Sequence, residues 1–123
     1  MNTDKPESKT ILLALWDGGG VVPPLLGVAK RLVERGHAVV VLGDPTVEPE
    51  AAANGCDFTS WTDAPHRTSR DRSADLIRDY LGPRQQMKDV RQYFLASGPA
   101  WTSDTLRAID DHDVDLVMSE FML

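Results

Sequence analysis

The 123-residue chain has a single cysteine, no long apolar run and fewer basic than acidic residues. Cys56 alone excludes an intrachain disulfide and a metal site built from cysteines. No apolar run approaches the roughly 20 residues that a membrane span needs. The first nine residues are polar, and the apolar core of a signal peptide does not follow them. We therefore expect a cytoplasmic domain with no secretory signal peptide and no membrane span.

The charge balance also argues against two classes of partner. Lysine and arginine number 13 against 19 aspartates and glutamates, so the net charge is −6. An acidic chain has no overall electrostatic attraction for nucleic acid or for an anionic membrane. With 41% hydrophobic and 26% charged residues, the composition is that of one globular domain.

The first half of the chain predicts a strand, a helix and a second strand. Residues 11–16 form a continuous apolar run cut off by glycines, as in a strand buried on both faces. Pro23 and Pro24 suit a helix start, and Gly36 suits its left-handed end. Residues 37–42 form a second buried strand. The pattern predicts an α/β, Rossmann-like, doubly wound parallel sheet over residues 10–123, after a flexible N-terminus at 1–9.

The rest of the chain has weaker patterns. A short helix is predicted at 47–54, a strand at 56–61, a loop at 62–73, helices at 74–81, 85–96 and 100–111, and a strand at 115–119. The arginines of the loop are predicted to be solvated. No helix follows the last strand, although parallel sheets need both faces covered. A partner chain or the remainder of a longer protein is expected to cover it.

The turn Trp16-Asp17-Gly18-Gly19-Gly20 is the leading candidate for a ligand site. It lies at the carboxyl edge of the predicted sheet, where open α/β sheets bind ligands. Trp16 could stack on a flat or hydroxylated ligand, and Asp17 could accept its hydrogen bond. Glu120 ends the last strand and is expected at the same edge. Ordinary alternatives remain open: a tight turn that needs positive φ, packing of the tryptophan, and a solvated glutamate.

Other kinds of site have less support. Neither glycine-rich phosphate fingerprint is present, and Pro23 and Pro24 remove amides that would bind an anion. Asp44 resembles the ribose-binding acid of dinucleotide folds only weakly without that fingerprint. No two histidines have metal-ligand spacing, so no metal site is predicted. His66, in the polar loop, could reach a substrate.

Several segments resemble the start of a GT-B glycosyltransferase. These are residues 11–20 (ILLALWDGGG), 21–24 (VVPP), 29–37 (AKRLVERGH), 39–44 (VVVLGD) and 113–121 (DVDLVMSEF). More narrowly, the chain is similar to enzymes that glycosylate antibiotics, macrolides and other natural products, and to their UDP-glucosyl and glucuronosyl relatives. The similarity covers nearly all of the chain from Ile11 onward.

The resemblance implies a two-domain enzyme that moves a hexose from a nucleotide-sugar donor to a hydroxyl of a small acceptor, with no cofactor or essential metal. This chain would be most of the N-terminal, acceptor-binding half. The donor-binding domain would be absent, so the chain alone is expected to be inactive. Acceptor-binding residues would come from the candidate turn and from His66, Met87, Phe94, Glu120 and Phe121. For the predicted helix at 85–96, a core-packing face is the alternative to a pocket wall.

One position departs from the resembled pattern. Many such enzymes have a general-base histidine in a Gly-His-x-x-Pro turn, and Val21 occupies that position here. Valine cannot accept a proton, so catalysis would need another base. Asp17, Glu120 and His66 are the candidates. The alternative is a non-catalytic binding or auxiliary module that uses the same half-fold, and a dehydrogenase domain is disfavoured by the missing fingerprint.

Overall fold

The computed structural model describes residues 7–18 and 20–120. Its centre is a four-stranded parallel sheet with the strand order β3-β2-β1-β4. The strands are β1 (Thr10–Ala14), β2 (Ala38–Gly43), β3 (Asp57–Ser60) and β4 (Leu116–Ser119). The helices are α1 (Val22–Glu34), α2 (Glu48–Ala53), α3 (Pro83–Val90) and α4 (Gly98–His112). The predicted Rossmann-like α/β architecture is confirmed.

Residues of β1 and β2 pack alternately on the two faces of the sheet. Leu13 lies in the cluster with α1 and α2, whereas Leu12 lies in the cluster with Trp101 and Ala108 of α4. Successive side chains of a strand point to opposite faces, so a strand buried on both sides shows no alternation in its sequence. This explains why residues 11–16 read as an unbroken apolar run.

Helix α1 ends as the sequence predicts. Gly36 has φ of 93°, its N–H donates to the carbonyl of Val33, and His37 N–H donates to the carbonyl of Leu32. These two bonds form a Schellman motif, which needs a left-handed residue at the position of Gly36. The chain thereby turns directly into β2.

The predicted helix at 74–81 is wrong. The segment contains only two single 3₁₀ turns, Arg72–Ala74 and Asp79–Leu81, with an extended residue, Asp75, between them. Asp75 forms an ion pair with Arg67, and Arg78 binds Asp89. These contacts with other segments require an irregular path and override the local helical pattern.

The last two helices begin earlier than predicted. Helix α3 starts at Pro83 and continues as a π-helical turn, Arg91–Leu95. Helix α4 starts at Gly98, with Pro99 in its first turn. At the edge of the sheet, Leu116 and Val117 of β4 are 52% and 40% exposed.

Candidate functional site

The carboxyl ends of all four strands lie at one edge of the sheet. Leu15 N–H donates to the carbonyl of Leu42, and Glu120 N–H donates to that of Ala14. Trp16 and Asp17 therefore follow β1 at the same edge at which Glu120 follows β4. The sequence predicts this grouping correctly, because parallel strands end at a common edge.

An open cleft of about 390 Å³ lies beside the turn after β1. Trp16, Asp17 and Gly18 line it, together with Arg67, Asp75, Leu76, Ile77, Asp79 and Gln86. This volume is at the lower end of the range for small-molecule sites. Most of the lining is polar, so the cleft suits a ligand with hydroxyl or other hydrogen-bonding groups.

The indole of Trp16 lies against Gly18. A Cβ atom at Gly18 would be 2.6 Å from the ring, closer than real contacts allow. Phe94 packs its ring edge-on against the indole with 4.9 Å between centroids. The indole N–H is buried and has no hydrogen-bond partner among residues 7–18 and 20–120. The absence of a side chain at Gly18 thus leaves the space that the indole of Trp16 occupies.

Asp17 is buried beneath polar partners. Thr46 Oγ1 donates to its Oδ2 at 2.6 Å, and Arg70 Nε donates to the same oxygen at 3.0 Å. Burial alone would raise the pKa of Asp17, but the bonds from Thr46 and Arg70 bring it below its ordinary value. A carboxylate held in this way is a weak proton acceptor, so the geometry favours a structural role for Asp17 over that of a base.

Asp44 joins two loops at the cleft. Its carboxylate accepts the N–H of Asp17 at 2.8 Å and the N–H of Arg67 at 2.7 Å. Burial raises the pKa of Asp44 despite these bonds. Both of its carboxylate oxygens accept hydrogen bonds from the chain, and the residue is only 1% exposed. Asp44 therefore does not have the surroundings of an acid that binds a ribose.

The prediction that the arginines of the 62–73 loop are solvated holds for Arg70 and Arg72, which are exposed, but not for Arg67, which is partly buried. Arg67 forms an ion pair with Asp75 at 2.8 Å and donates to the carbonyls of Ser69 and Asp71. Arg70 connects Asp17 with Glu50, which lies on α2. The guanidinium of Arg72 lies over the ring of Tyr80, 4.4 Å from its centroid. These contacts fix the loop against the sheet.

Asp104 of α4 is a buried polar contact that the sequence analysis missed. Its carboxylate accepts the N–H groups of Thr62, Asp63 and Ala64 at 2.8 to 3.2 Å, and also the Thr62 hydroxyl. Burial opposes its ionisation, but these bonds hold the pKa of Asp104 below its ordinary value. A signal was available in the sequence: Asp104 lies one turn from Trp101 and Ala108, on the core face of the helical pattern.

Asp89 of α3 has a similar role. Arg78 donates to it from its backbone N–H and from its guanidinium, and Gln85 donates from its side-chain amide. Arg78 holds the pKa of Asp89 well below its usual range. The aspartate is completely buried, so it fixes the irregular segment at 74–82 to α3.

The remaining candidate residues lie in different surroundings. Glu120 is 4% exposed at the sheet edge. His66 is partly buried, and its Nδ1 lies 2.8 Å from the carbonyl oxygen of Ala64. With Nδ1 as donor, Nε2 is the nitrogen that could accept a proton. Gly20 is exposed, and a Cβ atom at its position would have no neighbour within 4 Å. Gly19 and Phe121 lie outside the described residues.

Met87 does not line the candidate cleft. Its side chain is 54% exposed and lines a separate groove on the outer side of α3 with Arg84, Lys88 and Arg91. Phe94, seven residues further along, instead faces inward to Trp16. The helical spacing indicates which residues share a face, but it does not say which face is turned toward the cleft.

Neither a metal site nor a membrane span is seen in the described part of the chain. Residues 7–18 and 20–120 contain no cluster of three or more histidine, cysteine or acidic residues with the geometry to hold a metal ion. In the same residues no helix combines the length and the apolar character needed to cross a membrane.

Two antibiotic-related structures share the fold of this chain. One is the crystal structure of the glycotransferase of kitacinnamycin (TM-score 0.68), and the other is that of CalG4, the calicheamicin glycosyltransferase (TM-score 0.71). Each match has 20% sequence identity and covers 95% of this chain. The chain has the fold of a glycosyltransferase segment.

The shared segment is a minor part of each of these structures. This chain spans 26% of the kitacinnamycin enzyme and 28% of the calicheamicin enzyme. No protein-family model matches the sequence, and no curated protein matches it. The structural likeness therefore establishes the fold, and the chemistry must be argued from the cleft.

Proposed function

We propose that this chain is the acceptor-binding, N-terminal part of a glycosyltransferase. The complete enzyme would move a hexose from a nucleotide-sugar to a hydroxyl of a small natural-product acceptor. The observation that carries the proposal is the polar cleft at the carboxyl end of β1, in a fold shared with two antibiotic glycosyltransferases. That edge of an α/β sheet is where ligands bind.

The walls of the cleft suit a hydroxylated ring. Trp16 offers an aromatic surface. Asp79 and Gln86 offer acceptor oxygens, and Leu76 and Ile77 offer apolar contact. A partly oxygenated aglycone satisfies all three kinds of surface, whereas a purely apolar ligand would leave the polar groups unpaired.

The general base would have to differ from the histidine of the resembled enzymes. Val21 occupies that position, and the negative charge of the Asp17 carboxylate is paired with the guanidinium of Arg70. We assign the role to Glu120, at the same sheet edge, with His66 Nε2 as the other candidate. Either residue would act as the base by taking the proton from the acceptor hydroxyl while the hydroxyl oxygen attacks the sugar.

The alternative proposal is a non-catalytic binding or auxiliary module. It is favoured by the absence of a histidine at position 21 and by the ion pair of Asp17 with Arg70. Such a module would use the same cleft to hold its ligand but would have no base in contact with it. Both proposals predict binding at Trp16, and they differ in whether Glu120 matters for sugar transfer.

Binding can be tested with the indole N–H signals in an NMR titration. The three tryptophans differ, because Trp61 donates to the carbonyl of Leu15 and Trp101 donates to that of Tyr93. Oxygenated polyketide and macrolactone aglycones are expected to shift the Trp16 signal, identified by its loss in Trp16→Phe. UDP-glucose and TDP-glucose are expected to shift none of the three. A shift caused by the nucleotide-sugars but not by the aglycones would contradict the proposal.

Catalysis needs a second experiment with donor-binding sequence present. In a fusion protein the chain would replace the matching segment of the calicheamicin enzyme, so that the rest of that enzyme is present, and sugar transfer to an aglycone that binds would be assayed. Glu120→Gln is expected to lower kcat by about a hundredfold or more, with His66→Gln as the parallel variant. Transfer that neither variant alters would exclude both residues as the base, and a fusion that binds aglycone without transfer would favour the auxiliary module.

A further inference from the structure

A groove of about 540 Å³ lies on the outer side of α3 and the π-helical turn that follows it. Its lining residues are Arg84, Met87, Lys88, Arg91, Gln92 and Ala96. We call this surface, together with the adjacent Leu95, the α3 groove. It lies apart from the candidate cleft, since the two share no lining residue.

The charge of the α3 groove is opposite to that of the chain. Arg84, Lys88 and Arg91 recur at helical spacing on one face, and all three are exposed. None of them forms an ion pair with a residue of the described part of the chain. The acidic residue of this helix, Asp89, is buried and bound to Arg78. The groove is therefore a cationic patch in a molecule whose net charge is −6.

Large apolar side chains lie among these cations. Met87 is 54% exposed, and Leu95 is 72% exposed. Arginine and methionine are enriched in protein interfaces, and exposed apolar groups that cluster mark interaction surfaces. The helix and the π-helical turn together extend about 20 Å, enough for about four turns of a partner helix.

We propose that the α3 groove binds an acidic amphipathic helix of another protein. Glutamates or aspartates of that helix would pair with Arg84, Lys88 and Arg91, and its leucines would pack on Met87 and Leu95. Apolar and basic side chains stand together on this surface, which favours a partner that presents leucines and carboxylates on one face, as an amphipathic helix does. The overall acidity of the chain also opposes adsorption to anionic lipid.

The same helical segment connects the groove to the candidate cleft. Arg91 and Leu95 face outward, whereas Phe94 packs on Trp16 at the cleft. A partner on the α3 groove would thus lie one helix thickness from the ligand, about 10 Å. The proposal goes beyond the proposed function and does not depend on it, because binding at the groove needs no ligand in the cleft.

The test uses the full 123-residue chain and a labelled helical peptide of about 18 residues, or five turns, with leucines on one face and glutamates beside them. Fluorescence anisotropy measures binding, and NMR shifts locate it. We expect shifts confined to residues 84–96. We also expect the affinity for the peptide to fall about tenfold or more in Lys88→Glu/Arg91→Glu. The affinity for the peptide should fall in Leu95→Ala as well. A scrambled peptide of the same composition is expected to bind more weakly.

The matched control is Lys30→Glu/Arg31→Glu on α1, which changes the net charge equally on another exposed helix face. It is expected to bind the peptide like the wild type. An equal loss in this control, no binding by the wild type, or equal binding of the scrambled peptide would overturn the proposal. Binding to phosphatidylglycerol vesicles but not to the peptide would also overturn it, because the occupant would then be a membrane. So would self-association in sedimentation that Lys88→Glu/Arg91→Glu abolishes, because the occupant would then be a second copy of the chain.

Discussion

Residues 10–60 and residues 61–97 are stabilised by different kinds of interaction. The first region is a strand-helix unit whose interior is apolar, with Leu13 and Val41 among its fully buried side chains. In the second region, residues 61–82 contain only two single 3₁₀ turns before α3 begins, and buried aspartates hold this segment in place through Arg67, Arg78 and the N–H groups of residues 62–64. The cleft lies where the two regions meet. The difference indicates that a stable apolar sheet carries a cleft wall whose position depends on a few polar contacts.

This difference also explains what could be predicted from the sequence. Apolar periodicity and glycine positions predict β1, α1 and β2, because burial on both faces and the left-handed turn at Gly36 depend on local sequence. The extended path at Asp75 could not be predicted in this way. It depends on an ion pair with Arg67, and no local pattern indicates which carboxylate an arginine will meet.

The same distinction applies to the candidate site, part of which the sequence predicts and part of which it does not. The strand order brings Trp16, Asp17 and Glu120 to one edge, which topology alone predicts. The partners of Asp17, Thr46 and Arg70, come from separate loops and were not predicted. Nor could the sequence show that Met87 lines the α3 groove and not the cleft, because helical spacing does not fix the rotation of a helix about its axis.

The largest expected effect is in the apolar region. Leu12→Ala removes a fully buried side chain between the sheet and α4 and is expected to lower the free energy of unfolding by about 3 kcal/mol. Both regions should then lose structure together, because the sheet supports both. Chemical denaturation with far-UV circular dichroism measures the change. Leu106→Ala, at a 57% exposed leucine of α4, is the control and should change stability little.

The next effect separates the two regions. Asp104→Ala leaves the N–H groups of residues 62–64 without their acceptor and is expected to cost about 2 kcal/mol. Hydrogen exchange should rise in residues 61–73 more than in β1 and β2. Asp111→Ala, at an exposed position of the same helix, should lack this effect. Uniform loss of protection across the sheet would show that the regions are not separable.

Lowering the pH should destabilise residues 61–97 before it destabilises residues 10–60. The folded-state pKa values of Asp17, Asp89 and Asp104 lie below their ordinary value of 3.8. Their stabilisation is therefore fully present above that value and is lost as the pH falls below it. Asp44 has a raised pKa and acts in the opposite direction, because folding strengthens its proton binding.

This pH dependence can be measured by exchange and circular dichroism from neutral pH to about pH 1.5, since the loss runs from 3.8 down to the lowered folded-state pKa values. Residues 61–97 should lose protection at a higher pH than β1 and β2. Asp104→Asn should weaken the dependence, since it removes one of the carboxylates that titrate. Simultaneous loss in both regions would argue that the polar contacts do not control the second region.

The smallest effect on stability concerns Gly18. In Gly18→Ala the new Cβ would clash with the far edge of the Trp16 ring, so the ring should move while the fold is kept. We expect the free energy of unfolding to change by less than about 1 kcal/mol and the Trp16 indole signal to shift strongly. Gly20→Ala is the matched control, since open space surrounds that position. Equal spectra for the two variants would contradict the placement of the indole.

The central claim is that the ligand binds between the two regions, against Trp16. Isotope-filtered NOE spectroscopy of the labelled chain with an unlabelled macrolactone aglycone tests this most directly. The account predicts contacts from the aglycone to the Trp16 indole and to the side chain of Ile77, which also lines the cleft. Contacts to Met87 and Leu95 on the α3 groove instead, with none to Trp16, would contradict it.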